Sequence, residues 1–299
     1  MLRRAWIGAV LVFSGLSVPA YGQVTLQWKF NEGDKFYVED VSTMKQKIGF
    51  MGKDIDQTQK TTMVTSYTVK KKTGNEVVLE QKIEGVDVKV MGGLGGDLDK
   101  MMEKLKGAKF ILHLNVKEGK ITKFEGYEDF IKQLTEGNEE VGKFIKMMLS
   151  EDVLKKSSEE AFGFLPGKAV SKGEGWKKEA TIPFGPLGSF KTVNDYTYQG
   201  KEENLEKIAL KAQLTYSPPK GDAGFGLFKI VKGNLKSEGA RGTLLFDADK
   251  GRLAKYSMAM VFRGSLTMDI MGNMIDMDVT IDQNSNSRVL NRNPLMQKE

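Results

Sequence analysis

Two distant stretches of the chain share one pattern, and this internal repeat limits the fold more than any other feature. Residues 114–124 (LNVKEGKITKF) align with residues 246–256 (FDADKGRLAKY), and each stretch reads as a strand, a tight turn with a glycine, and a second strand. The segments Gly33-Asp34-Lys35-Phe36 and Gly173-Glu174-Gly175-Trp176 also match, since each has a glycine before an aromatic residue that begins a strand. The repeat predicts two similar halves built from the same series of strands.

Each opening segment precedes three stretches that alternate between apolar and polar residues, the pattern of half-buried strands. The predicted strands span about 35–50, 55–71 and 76–91 in the first half, and 176–184, 189–198 and 207–216 in the second.

A hairpin is predicted near the C-terminus, with Gly272-Asn273 as its two-residue turn. In this register Met271 opposes Met274 and Met268 opposes Met277. One face then carries an apolar stripe that must be buried, formed by Leu266, Met268, Ile270, Ile275, Met277 and Val279 and continued by Tyr256, Met258, Met260 and Phe262. The other face carries Thr267, Asp269, Asp276 and Asp278, and the long first strand is expected to bend at Gly264.

Four amphipathic helices are predicted between the halves. The first spans about 97–106 and ends at Gly107, and the next two carry apolar side chains over about 127–134 and 141–149. The fourth begins at Ser150 as the N-cap and runs to about Phe162.

The predicted fold class is therefore mainly β (α+β), with two similar halves of long curved antiparallel strands and a helical insertion on the apolar sheet face. The predicted organisation is a signal peptide at 1–22, a first β half with a short helix at 23–125, a helical segment at 126–166, a second β half at 167–290, and a flexible tail at 291–299.

The N-terminus has the features of a secretory signal peptide. Arg3 and Arg4 precede an apolar run that reaches about Val18, and small residues stand at the cleavage positions of Ala20-Tyr21-Gly22. Cleavage after Gly22 predicts an exported protein, periplasmic or extracellular, and an uncleaved N-terminal anchor is the alternative. No later segment is apolar over the length needed to cross a bilayer.

The chain carries the short motifs Leu165-Pro166, Ala169-Val170 and Gly173-x-x-Trp176, followed by strands and a later Asp-x-Lys-Gly-Arg-Leu turn. Together these motifs resemble a family of exported bacterial proteins catalogued as a domain of unknown function. The resemblance covers most of the mature chain and its motifs mark structure, so it implies no catalytic residue. Many members of that family carry a lipobox cysteine, which this chain lacks.

The composition argues against several kinds of site. The chain has no cysteine and one histidine, His113, whose neighbours Phe110, Leu112 and Leu114 are predicted to point the opposite way. A zinc site with several histidines and a cysteine nucleophile therefore lack their residues. A Ser-His-Asp triad would need His113 itself, and no G-x-S-x-G motif supports it. The net charge of +6 falls to about +4 after the signal peptide is removed, and no basic stripe with aromatic residues suggests a nucleic-acid partner. No cofactor is predicted.

Methionine-rich apolar faces suggest one binding activity, because flexible thioether side chains adapt to an apolar guest. The leading hypothesis is an exported, non-enzymatic protein of the cell envelope or periplasm with a structural or binding role. The alternatives are a carrier or sensor of a lipid-like hydrophobic ligand and a hydrolase that uses carboxylates. The residues expected to line a hydrophobic-ligand site are Met101, Met102, Leu105, Phe130, Phe144, Met148, Tyr256, Met258, Met260, Met268 and Met277.

Overall fold

The computed structural model describes residues 22–50, 52–92, 102–135, 139–183, 185–219 and 228–297. Residues 1–21 of the predicted signal peptide lie outside these ranges, as do the first half of the predicted 97–106 helix and Gly93, Gly95 and Gly96. The strands are β1 Val24–Thr25, β2 Lys35–Phe50, β3 Lys53–Thr73, β4 Glu76–Gly92, β5 Lys109–Asn115, β6 Lys120–Glu125, β7 Ala169–Val170, β8 Gly175–Pro183, β9 Ser189–Glu202, β10 Leu205–Ser217, β11 Phe228–Asp247, β12 Arg252–Ile270 and β13 Asn273–Leu290.

Three helices follow β6: α1 Tyr127–Thr135, α2 Glu139–Met148 and α3 Glu151–Gly163. The last three predicted helices are therefore confirmed. The Ser150 hydroxyl oxygen accepts a hydrogen bond from the Val153 N–H at 3.3 Å and caps α3, as its sequence predicts. Short 3-10 turns lie at Gly185–Leu187 and Pro294–Gln297.

Eleven strands form one antiparallel sheet in the order β6-β5-β4-β3-β2-β13-β12-β11-β10-β9-β8. Each half is a meander of sequential hairpins, and the halves join at the centre where β13 pairs with β2 along its length. β1 and β7 pair with each other in a separate two-stranded sheet. The mainly β, α+β fold class is confirmed.

The order of elements and the hydrogen bonds both follow the repeat, with β1 to β6 corresponding to β7 to β12. The Gly33 N–H donates to the Val69 carbonyl, and the Val69 N–H donates back to the carbonyl of Asp34. In the second half, the Gly173 N–H donates to the Tyr198 carbonyl, and the Tyr198 N–H donates to the carbonyl of Glu174. The two opening motifs therefore hold equivalent positions.

The matched turns also hold equivalent positions, since Gly119 lies between β5 and β6 and Gly251 lies between β11 and β12. Both glycines have positive φ, 68° and 59°, a conformation that side chains disfavour. The side chain that begins each turn accepts from turn N–H groups, Asn115 in the first half and Asp247 in the second.

The predicted register of the C-terminal hairpin is wrong by two residues. The turn residues are Met271 and Gly272, and Ile270 pairs with Asn273 while Leu266 pairs with Met277. Met271 and Gly272 have φ of 53° and 84°, as a type I′ turn requires. A shift of two residues leaves each side chain on its predicted face, because the period of a strand is two.

The sheet curls until α3 contacts both of its edge strands, β6 and β8. Eleven flat strands would span about 50 Å at the usual spacing, whereas a helix is about 10 Å wide. The curvature gives the sheet a concave face, and α3 lies between its two edges.

The two larger apolar cores lie one in each half, and a third, smaller cluster contains Tyr216, Leu235, Phe262 and Val279. The first lies under α1 and α2 and includes Phe110, Phe130 and Ile145. The second includes Leu210 and Phe246. Trp28 packs against both cores, so the segment that follows β1 connects the two halves.

Candidate functional site

A cavity of about 480 Å³ lies between α3 and the concave face of the sheet. Strands of both halves contribute to its wall, and so do β13 and the segment after β1. Its lining is mostly apolar and aromatic, and the apolar members include Trp28, Phe36, Val38, Phe162, Phe164, Leu210, Leu214, Leu244, Leu253, Met258 and Met260.

A carboxyl group stands on the sheet side of this cavity because of the alternation in β2. Phe36, Val38 and Asp40 are successive inward positions of the strand, and the third is acidic. The neighbouring strand β13 is polar at its inward positions there, with Gln283, Ser285 and Ser287. The Ser287 hydroxyl donates a hydrogen bond to Asp40 Oδ1.

A second carboxyl group reaches the cavity from α3. Glu160 Oε1 accepts a hydrogen bond from the Thr192 hydroxyl of β9 at 2.9 Å. The preceding residue, Glu159, accepts from the Ile121 N–H of β6 at 3.1 Å. Glu159 and Glu160 thus attach α3 to strands near opposite edges of the sheet, and Glu160 lines the cavity.

Burial controls the ionisation of both cavity carboxyl groups. It raises the pKa of Asp40, against the opposing effect of the Ser287 hydroxyl. It likewise raises the pKa of Glu160, against the opposing effect of Thr192. Burial, followed by the charges of Glu160 and Asp40, raises the pKa of Tyr256 to about 12. The Tyr256 hydroxyl therefore stays protonated, and it donates a hydrogen bond to Met258 Sδ at 3.0 Å.

The two cavity carboxyl groups lie in similar environments. Here burial raises both pKa values, and within the described part of the chain neither group forms an ion pair with a basic side chain.

Three predicted lining residues, Tyr256, Met258 and Met260, lie together in the cavity wall on β12. Met268 and Met277 share their face of the sheet but lie nearer the β12–β13 turn, outside the cavity lining.

The remaining predicted lining residues lie elsewhere. Leu105 packs against the first core, and Phe130 is buried in that core with its ring centroid 5.2 Å from that of Phe110. Met102 is half-buried and does not line the cavity. Met101 and the side chains of Phe144 and Met148 lie outside the described part of the structure.

Sequence reasoning missed the residues that give the cavity its polar character: Asp40, Tyr67, Glu160, Thr192, Tyr196 and Ser287. One local signal was present, because Asp40 interrupts the apolar face of β2 after Phe36 and Val38. An acidic residue at an inward position indicates a buried polar site.

His113 points away from the core, as expected, and its Nε2 lies 2.8 Å from Glu125 Oε1 on the outer side of the sheet. Across the described ranges, no three acidic or histidine side chains are arranged to hold a metal ion. In the same ranges, no helix is both long enough and apolar enough to span a bilayer.

Several solved structures show a distant overall similarity to this chain. The structure titled "Lipid-protein interactions in lipovitellin" matches with a TM-score of 0.49 and 13% identity, over 87% of this chain and 25% of that one. This chain thus spans about a quarter of that protein. The COG4313 outer membrane channel from Pseudomonas putida F1 matches with a TM-score of 0.23 and 9% identity, over 88% and 98% of the two chains. Similarities this weak assign no function, and no curated protein matches the sequence.

The family comparison is more specific. The sequence profile described as "Family of unknown function (DUF6263)" matches residues 95–253, which is more than half of the chain. The chain belongs to this family.

Proposed function

We propose that this DUF6263 protein is an exported, non-enzymatic binding protein that holds an apolar, lipid-like molecule between α3 and the concave face of the sheet. The observation that carries the proposal is the cavity of about 480 Å³ and its apolar, aromatic lining.

The size of the cavity supports a guest. Protein interiors are close-packed, with few voids larger than a water molecule. This cavity has room for about 16 waters at roughly 30 Å³ each, and it falls within the range of about 300–1,000 Å³ that is usual for small-molecule sites. Apolar and aromatic side chains make up most of the lining, and water gains little from contact with them, so a guest with a large apolar part fits the cavity better.

The polar groups support a guest with one polar end. Asp40, Glu160 and Tyr256 lie among the apolar residues of the wall, and a few placed polar groups in an apolar site are typical of ligand orientation. Burial raises the pKa of both carboxyl groups, and two acidic groups in an apolar wall disfavour an anion beside them, so they help to set which end of a guest lies inside.

Export is part of the proposal and rests on the N-terminal sequence. N-terminal sequencing of the protein recovered outside the cytoplasm should begin at Gln23. A full-length chain that remains with the membrane fraction would contradict export.

The binding proposal is tested with the mature protein in two steps. Native mass spectrometry of the gently purified protein should detect an adduct with the mass of a lipid. After delipidation, titration with 1-dodecanol should change the fluorescence of Trp28, whose indole lines the cavity.

A variant pair separates cavity binding from surface adsorption. Ser285→Leu adds bulk inside the cavity, whereas Asn284→Leu adds the same side chain on the opposite, exposed face of β13. We expect Ser285→Leu to weaken dodecanol binding at least fivefold and Asn284→Leu to leave it unchanged. Equal binding by both variants, or no adduct and no titration signal, would leave the structural role as the better hypothesis.

A further inference from the structure

A basic depression adjoins the cavity at the end of the sheet where Trp28 and the repeated turns lie. Its volume is about 720 Å³, and five basic side chains line it: Lys29, Lys35, Lys72, Lys250 and Arg252. The carboxylates in its lining are those of Asp34 and Asp249. The depression therefore has a net positive charge.

Most of this positive charge is not neutralised by its described contacts. Lys29 Nζ donates to the Ala248 carbonyl at 2.8 Å, and Arg252 Nη2 donates to Asn291 Oδ1 at 3.0 Å. Both acceptors are neutral. Among the five, Lys250 has a described ion pair, with Asp247 Oδ2 at 2.7 Å.

The depression and the cavity share part of their walls. Phe36 and Arg252 line both spaces, and the Arg252 guanidinium lies 5.7 Å from the centre of the Phe36 ring. One half-buried cation and one aromatic ring thus separate the apolar interior from the basic surface. A molecule that extended past this pair would have an apolar part inside and a polar part among cations.

The interior carboxyl groups fix which end of such a molecule enters. Asp40 and Glu160 line the cavity, so an anion there would lie beside acidic groups in an apolar site, an unfavourable arrangement. We propose that the ligand is an anionic amphiphile, with its acyl chain in the α3 cavity and its phosphate or carboxylate in the basic depression. This inference rests on the proposed function and specifies the chemistry of its ligand.

The experiment compares dodecyl phosphate, 1-dodecanol, dodecyltrimethylammonium and inorganic phosphate, each below any micelle-forming concentration, by fluorescence and calorimetry. Dodecyl phosphate should bind at least tenfold more tightly than dodecanol at low salt, and this advantage should shrink as the salt concentration rises. The ammonium probe should bind most weakly of the three that carry chains. Inorganic phosphate should not compete in the same concentration range.

The variant Lys35→Gln/Lys72→Gln removes two cations that line the depression and not the cavity. It should weaken dodecyl phosphate binding about fivefold, which is the size of effect expected from the loss of two exposed ion pairs. Its affinity for dodecanol should stay within twofold of that of the unchanged protein. The control Lys60→Gln/Lys89→Gln removes the same charge from a facing exposed pair on β3 and β4 and should weaken neither.

The outcomes separate the two proposals. Dodecanol binding as tight as dodecyl phosphate binding, or equal losses in the variant and its control, overturns the anionic ligand and leaves the apolar cavity site standing. Competition by inorganic phosphate at equal concentration identifies a free-anion site and also overturns the amphiphile. No binding of any probe that carries a chain overturns both.

Discussion

Trp28 offers the most direct test of how the two halves are held together. Its ring centroid lies within 6 Å of the rings of Phe30, Phe162, Phe164 and Phe246, which belong to both cores. Its indole N–H donates to the Phe162 carbonyl at 2.8 Å, near the end of α3. Replacing Trp28 with alanine therefore removes packing contacts with both cores and the hydrogen bond to α3.

The expected cost follows from these contacts. Truncation of a core tryptophan to alanine costs about 3–5 kcal/mol, and the loss of the hydrogen bond to a mostly buried carbonyl places this site toward the upper part of that range. A protein of this size loses about 2–4 °C in melting temperature per kcal/mol, so Trp28→Ala should lower the melting temperature by roughly 10 °C or more. Trp28→Phe keeps a ring but loses the N–H donor, and it should cost about 1–2 kcal/mol.

Trp176 is the matched control, because its indole N–H also donates to a carbonyl after α3, that of Phe164 at 2.7 Å. Trp176 packs against the second core and stacks on Tyr196. Thermal and urea unfolding of the mature protein should therefore show Trp28→Ala to be about twice as costly as Trp176→Ala. If the two variants are equally stable, Trp28 does not join the halves.

Three further predictions address the sheet and the cavity. Gly264→Ala would place its Cβ atom 1.8 Å from a carbonyl oxygen of β11. We therefore expect chemical denaturation to show a loss of about 3 kcal/mol in the free energy of unfolding. A neutral result would contradict this close contact between the strands. Met277→Asp should cost about 2 kcal/mol of unfolding free energy because it places a charge on the concave face. Met274→Asp should be tolerated because Met274 is 63% exposed. The reverse result in thermal melts would mean that the two faces of the sheet are assigned the wrong way round. Because the pKa of folded Asp40 lies above its unfolded value of about 3.9, the charged form opposes folding, and stability falls as pH rises through the folded pKa. Asp40→Asn should therefore raise the melting temperature at pH 7 and lose that advantage near pH 4, and an advantage of the same size at both values would refute the assignment.

The repeat made much of the fold predictable. The strand predicted at 35–50 matches β2, and the other predicted strands differ from the observed ones by a few residues at their ends. The C-terminal turn was misplaced because Gly272 can occupy either position of a two-residue turn. Alternation fixes only the face of each side chain, and the observed turn places positive φ on Met271.

The site was less predictable, because its parts come from distant positions in the sequence. Ser287 and Asp40 are 247 residues apart and meet only because β13 pairs with β2. No local pattern encodes the pairing of the last strand with one of the first. The methionines of β12 were identifiable from alternation, whereas Glu160 lies on a helix whose position depends on the curvature of the whole sheet.

The two segments outside the repeat supply one of the two cavity carboxyl groups, Glu160, and the hydrogen-bond partner of the other, Ser287. After β6 the chain forms α1 to α3, and after β12 it forms β13, so these segments occupy corresponding places in the two halves with different structures. β13 supplies Ser287 to the sheet side of the cavity, and α3 supplies Glu160 to the other side. Trp176 corresponds to Phe36 in the repeat, which aligns Asp40 with Ala180, so this carboxyl group also has no acidic counterpart. The repeated strands therefore build a curved apolar wall, and the places where the repeat breaks supply polar groups that, in our proposal, distinguish one end of a bound molecule from the other.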